Sequence, residues 1–170
     1  MNFEQISRPI LHLSNQPNRK ALLKQEAITT TSAPVWTQLV LIRGLPGSGK
    51  STMARFLARM GYRHLEADMF FEVDGIYRYD AKRIRDAHAW CQRMTRQCLT
   101  CGESVVVSNT FTTMWEMEPY FAMATGAIRV IEATEKFANV HDVPAESVAR
   151  MAARWELMPQ DLDSSTFYTH

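Results

Sequence analysis

The nonapeptide Gly44-Leu45-Pro46-Gly47-Ser48-Gly49-Lys50-Ser51-Thr52 constrains this chain more than any other stretch of it. It fulfils the spacing G-x-x-x-x-G-K-[ST] in full, and by average composition a chance match in a chain this long is on the order of one in a hundred. The apolar run Gln38 to Arg43 ends directly before Gly44, and a helical pattern begins at Lys50. That strand–loop–helix order is the context in which such a loop cradles phosphate. Each residue type has a physical reason. Consecutive main-chain N–H groups in a tight loop converge into an anion-binding nest. Glycine permits the dihedrals and the close approach. The following helix adds unpaired N–H groups and the positive end of its dipole. On this reading Gly44, Pro46, Gly47, Ser48, Gly49, Lys50, Ser51 and Thr52 bind the phosphates of ATP. Lys50 places a compact charge on the β- and γ-phosphates, and Ser51 offers its hydroxyl to Mg²⁺. The bland alternative is a glycine-rich turn that carries a surface lysine.

From Thr37 onward strand and helix patterns alternate. Strands are expected over 38–43, 62–67, 104–109 and 128–133, and helices over 50–60, 81–99, 113–125 and 144–157. Pro119 falls inside the third helical stretch, so a break or restart is expected there. In the last helix Val148, Met151, Ala152 and Trp155 share one face. Strands alternating with helices predict an α/β fold, a three-layer α/β/α sandwich with a mainly parallel sheet. The expected organisation is a weakly structured N-terminal arm over 1–36, with one short helix near Asn18 to Ala27, then the α/β domain over 37–158 and a tail over 159–170. The arm reads as loosely packed, or as a partner-binding segment.

Composition narrows the class. A chain of 170 residues has the length of one ordinary domain and can bury a core without staples. With 46% hydrophobic and 22% charged residues, wholesale disorder is excluded. The apolar runs, Leu39 to Ile42 and Val105 to Val107 among them, are too short to span a bilayer, so no membrane role is expected. The balance of 19 basic against 18 acidic residues gives no bulk charge for coating a polyanion, although a local basic face stays open. Three cysteines and no apolar leader suit a reducing, cytoplasmic setting. The Cys98-x-x-Cys101 pair stands alone and reads as reduced thiols before it reads as zinc.

In sheets of this kind the chemistry sits at the carboxyl ends of the strands. Asp68 follows the second expected strand in Leu65-Glu66-Ala67-Asp68-Met69-Phe70-Phe71. It is placed to orient an acceptor hydroxyl and take its proton, or to reach the metal beside Ser51; its alternative role is a helix N-cap. Many triphosphate sites hold Mg²⁺ through an Asp at a strand end. Here the plainest candidates for that place, Ser108 and Asn109, are uncharged. The metal is therefore expected to rely on Ser51, Asp68 and the phosphates. Arg150 and Arg154 stand four residues apart and share a helix face; they suit a moving phosphoryl group, or an ordinary solvated face paired to Glu146 or Glu156. Phe70, Phe71, Tyr77 and Tyr79 would stack a nucleobase if exposed and pack a core if not.

Gly44 to Thr52, Glu66-Ala67-Asp68, Val105 to Thr110, Trp115 to Tyr120 and His141 to Glu156, in that order, resemble the P-loop kinases related to the bacteriophage polynucleotide 5′-hydroxyl kinase. The resemblance runs from about Leu39 to Leu157. It is nearest to the small branch that includes the kinase domain of a eukaryotic ubiquitin-ligase-binding protein. It implies a P-loop NTPase fold of the AAA type and transfer of the γ-phosphate of ATP, with Mg²⁺, to a hydroxyl, classically the 5′-hydroxyl of DNA or RNA. Asp68 matches the family's general base. Asn109, with Thr110 beside it, matches a strand-end position near the substrate that is an Asp in the phage enzyme. Two departures stand out. Phe71 occupies the place of an arginine that holds the substrate phosphate, and the stretch Phe137 to Asp142 lacks the arginine that precedes Val-Pro in the phage lid. The first departure favours a small acceptor, such as a nucleoside or sugar nucleotide. The uncharged pair Ser108-Asn109 motivates a third reading, a nucleotide-binding regulatory module without transfer.

Overall fold

The computed structural model describes residues 37–135 and 143–159. The arm, the tail from residue 160 and the stretch 136–142 lie outside the described residues, and the expectations placed on them lie there too. In chain order the elements are β1 (Gln38–Arg43), α1 (Lys50–Arg59), β2 (Arg63–Leu65), the two short strands β3 (Glu72–Val73) and β4 (Ile76–Tyr77), α2 (Ile84–Thr100), β5 (Val105–Ser108), α3 (Glu118–Phe121), β6 (Ala127–Glu132) and α4 (Ala145–Ala153).

The four longer strands form one sheet in the order β2-β5-β1-β6, every pair parallel. Leu39 lies opposite Val105 and Ile128, so β1 is central. Alternate side chains of a strand point to opposite faces. On one face Leu39, Leu41, Val105 and Val107 pack against Ala87, Cys91, Cys98 and Leu99 of α2 and Tyr120 of α3. On the other, Val40, Ile42 and Val106 pack against Ala54, Met53 and Leu57 of α1. This is the expected three-layer sandwich. Val105, Val106 and Val107 are each 0% exposed, and burying each contributes about 2 kcal/mol. Covering on both faces is why these strands are continuously apolar rather than alternating.

Some elements differ from expectation. The third helical stretch breaks in two. A 3₁₀ turn at Met114–Glu116 is closed by a capping box between Thr113 and Glu116, and α3 then restarts with Pro119 in its first turn. There the missing N–H of proline costs no hydrogen bond. The hairpin β3–β4 was not expected. Its turn, Asp74-Gly75, holds both residues at positive φ, 54° and 74°, the geometry that an Asp-Gly pair favours between antiparallel strands. The last helix stops at Ala153 instead of running to Leu157. Its continuation leaves the helix axis because it is drawn onto Arg43.

Arg43 ends β1 and is 0% exposed. Its guanidinium stacks 3.9 Å from the centre of the Trp155 ring. Nη2 donates to the Glu156 carbonyl at 2.8 Å and more weakly to the Thr112 carbonyl at 3.4 Å. Around this clasp the Glu156 N–H donates to the Thr112 carbonyl at 2.8 Å, and the Glu156 carboxylate accepts from the Met114 N–H at 2.6 Å. Burial pulls the Arg43 pKa down, while the charges of Glu132, Glu156 and Glu116 oppose the shift. A desolvated cation over an indole and a charged hydrogen bond to a carbonyl each contribute about 2 kcal/mol, and the desolvation of the guanidinium offsets part of the sum. Arg43→Met keeps most of the volume and removes both contacts. It is expected to lower the unfolding free energy by about 2 kcal/mol, read as a lower midpoint at unchanged slope in urea unfolding. Among the described residues no helix is long and apolar enough to cross a membrane.

Candidate active site

The carboxyl ends of β1, β5 and β2 meet around the loop between β1 and α1. The Gly44 N–H donates to the Thr110 carbonyl at 3.1 Å, and the Ala133 N–H donates to the Arg43 carbonyl at 2.8 Å. The mouth of the loop is thus tied to both neighbouring strand exits. A Cβ at Gly44 would lie 2.7 Å from the Ala133 carbonyl oxygen, which leaves no room for any other residue. Gly47 and Gly49 sit at φ 79° and 89°, which a side chain would disfavour. The Ser48 N–H closes a turn onto the Leu45 carbonyl, and the N–H groups of Thr52 and Met53 both donate to the Gly49 carbonyl. The N–H groups of Gly47, Gly49, Lys50 and Ser51 take no partner among the described residues. The Ser48 hydroxyl is buried and likewise has none. Such a cluster of donors at a helix N-terminus fits a polyanion and little else.

Lys50 opens α1. Its ammonium donates to the Leu45 carbonyl at 2.9 Å, so it lies folded along its own loop. Burial pulls its pKa down, and the carboxylates of Glu66 and Asp68 oppose that shift. Two acids therefore face the lysine. Asp68 is the second residue of a 3₁₀ turn, Ala67–Phe71, whose N-cap is Glu66. The N-cap position weighed for Asp68 is thus its neighbour's, and the Glu66 side chain does not cap the turn. The charge of Asp68 acts on Lys50, Tyr77 and His88. Burial keeps His88 on the neutral side, against the pull of Glu116 and Asp68.

Asn109 is 7% exposed. Its carbonyl accepts from the Ala67 N–H at 2.9 Å, and its amide nitrogen contacts the Cys91 sulfur at 3.8 Å. Both ends of the amide are engaged inside the protein. Asn109 pins the start of the turn that carries Asp68. Thr110 is half-buried and supplies a main-chain carbonyl to Gly44. Thr52 is exposed, and its hydroxyl accepts from Arg55 at 3.5 Å.

Glu66 was missed as a site residue. Its carboxylate accepts from the Ser108 hydroxyl at 2.6 Å and contacts the His64 ring at 2.8 Å, and the Ser51 side chain lies close enough to help hold its charge. Burial pushes its pKa up, but these hydrogen bonds and the nearby His64 outweigh burial and hold it below the usual carboxylate value. A depressed carboxylate stabilises the folded state above its unfolded pKa and loses that contribution as pH falls through the native value. The stability of the wild type over Glu66→Gln is therefore expected to shrink when thermal melts are compared from about pH 6 down to about pH 3.

A cleft of about 490 Å³ adjoins the loop. It is lined by Leu45 to Ser48, by Glu132 to Glu135 and by Val148, Ala152 and Trp155 of the last helical segment. Arg150 and Arg154 do not line it. They border a separate groove with Ser147, Met151 and Ala153. Arg150 instead bonds the Ser147 hydroxyl at 2.8 Å and pairs with exposed Glu146 at 4.0 Å. At about 100° per residue Arg150 lies roughly 200° around the helix from Val148, so the face that meets the loop is the apolar one. Phe71 is 3% exposed beneath Tyr77 and Tyr79, with ring centres 6.3 Å and 5.2 Å away. Phe71 packs as core; Tyr77 and Tyr79 stay exposed on the side of Asp68.

A parallel sheet with this loop between its central strand and first helix defines a P-loop kinase-like nucleotide fold. The chain belongs to the AAA_33 family, described as an AAA domain, whose model matches residues 39–154. It is 33% identical over 133 residues, 69% of this chain, to human NEDD4-binding protein 2, of which it spans 8%. Among solved structures it is similar to Chaetomium thermophilum Kti12 in complex with ADP-AlF3, with TM-score 0.56, 16% identity, 77% of this chain and 88% of that one. An unliganded sugar kinase from Janibacter sp. HTCC2649 gives TM-score 0.53 at 20% identity, over 75% and 82% of the two chains.

Proposed function

We propose that this chain is a kinase that moves the γ-phosphate of ATP to a hydroxyl group, with a polynucleotide 5′-hydroxyl as the favoured acceptor. The observation that carries the reading is the placement of Asp68. It follows β2 in a turn whose first N–H is pinned by Asn109, and it lies close enough to Lys50 to act on its charge. In this arrangement the unpaired loop amides and Lys50 hold the triphosphate, and Asp68 orients the acceptor hydroxyl and takes its proton as the oxygen attacks. The apolar wall of Val148, Ala152 and Trp155 offers the nucleoside a dry surface. The donor set fits magnesium. A serine hydroxyl and carboxylates are hard oxygen donors, and the described residues form no all-protein cage of three or more His, Cys, Asp or Glu, as suits an ion that keeps waters and substrate phosphates. When bound, magnesium would neutralise charge on the phosphates.

The polynucleotide acceptor is supported by the motif resemblance and by the exposed aromatics Tyr77, near enough to Asp68 to feel its charge, and Tyr79. Buried Phe71 supports the second reading, a small hydroxyl acceptor, because it leaves a core side chain where the phage enzymes carry a phosphate-holding arginine. Label from γ-labelled ATP separates them. Transfer to a 5′-hydroxyl oligonucleotide, and none to the same oligonucleotide already phosphorylated at that end, supports the first. Label on nucleosides or sugar nucleotides alone replaces it with the second. ATP bound with no transfer to any acceptor would support a regulatory module.

A further inference from the structure

The end of β5 lacks a carboxylate, since Ser108 and Asn109 stand there. Glu66 reaches the same place from the next strand. In the parallel register Leu65 lies opposite Val107, so Glu66 is level with Ser108. The Ser108 hydroxyl donates to it at 2.6 Å, and the His64 Nε2 contacts both Glu66, at 2.8 Å, and Ser108, at 3.2 Å. The Glu66 side chain is 14% exposed. Glutamate is one methylene longer than aspartate, and it starts one strand further from β1.

In the parallel register Ile42, two residues before the phosphate loop, lies opposite Ser108, so the carboxylate held by Ser108 stands at the mouth of the loop, close enough to Ser51 and Lys50 to act on them. A carboxylate is acceptor-only, so a hydroxyl that gives it a proton keeps its oxygen lone pairs for a cation. Ser108 and His64, which hold the carboxylate, have no other role in the site.

We propose that Glu66, held by Ser108 and His64, is the carboxylate that orients Ser51 and the water shell of the divalent cation, and so replaces the absent strand-end aspartate of β5. This rests on the reading of the loop as an ATP site. Glu66 acts through Ser51 and bound water, and is a positioning residue.

The test measures ATP affinity of the full chain by calorimetry in magnesium and in EDTA, with Mn²⁺ bound in the nucleotide complex counted by electron paramagnetic resonance. For Glu66→Gln the affinity in EDTA is expected to stay unchanged, while affinity in magnesium and Mn²⁺ binding fall about tenfold, the scale for loss of an outer-shell partner. Adding S108D to E66Q returns a carboxylate to β5 and is expected to restore Mn²⁺ binding. Wild-type affinity of E66Q for Mn²⁺ overturns the inference. So does an equal loss in magnesium and EDTA that S108D does not restore, which marks a purely structural carboxylate. If the wild-type chain binds no ATP in either condition, the kinase reading fails as well; if it binds ATP and only the E66Q result is contrary, the inference alone fails.

Discussion

Lys50→Ala is expected to slow phosphoryl transfer about a thousandfold while the protein stays folded. In a site where the protein supplies positioning and charge rather than covalent chemistry, one preorganised cation on the transferring group carries this much of the barrier. The fold does not depend on it. The Lys50 ammonium donates one hydrogen bond, to the Leu45 carbonyl of its own loop, and burial already disfavours its charged form. Removing it also relieves a partly buried charge, so thermal melts should shift by no more than a few degrees. Wild-type turnover in Lys50→Ala would remove the loop from the reaction.

Asp68→Asn separates two roles for the acid. It keeps shape and loses the proton acceptor, so turnover is expected to fall about a thousandfold with ATP affinity in magnesium unchanged. The turn that carries it should survive, because its anchor is the Asn109 carbonyl on the Ala67 N–H. Loss of ATP affinity with an unchanged residual rate would instead make Asp68 a metal ligand. Between these outcomes Asp68 is assigned by whether the loss appears in the rate or in nucleotide binding.

The loop, its flanking strand and the sandwich were legible because their signals are local: nine consecutive residues, an apolar run, a helix start. The hairpin signal, Asp74-Gly75, was equally local and was overlooked. Glu66 and Arg43 were not legible. The partners of Glu66 include Ser108, 42 residues away, and those of Arg43 lie 69 and 113 residues away. These contacts exist only because β2 lies beside β5 and the segment after α4 returns to the end of β1, and strand order is not written in periodicity. One trace of Arg43 was visible: a cation closing an otherwise apolar strand. Arg150 and Arg154 were legible as a pair from their spacing; the structure sets them in a groove apart from the cleft that Val148, Ala152 and Trp155 line beside the loop.

Titration of the full chain with ATP in magnesium, followed by calorimetry, tests the central claim most directly. The unpaired amides of Gly47, Gly49, Lys50 and Ser51, together with the Lys50 ammonium, predict one saturable site with a dissociation constant in about the micromolar to millimolar range, abolished or strongly weakened in Lys50→Ala. A wild-type chain that gives no binding heat with ATP or GTP, and does not compete for a fluorescent analogue, would contradict it.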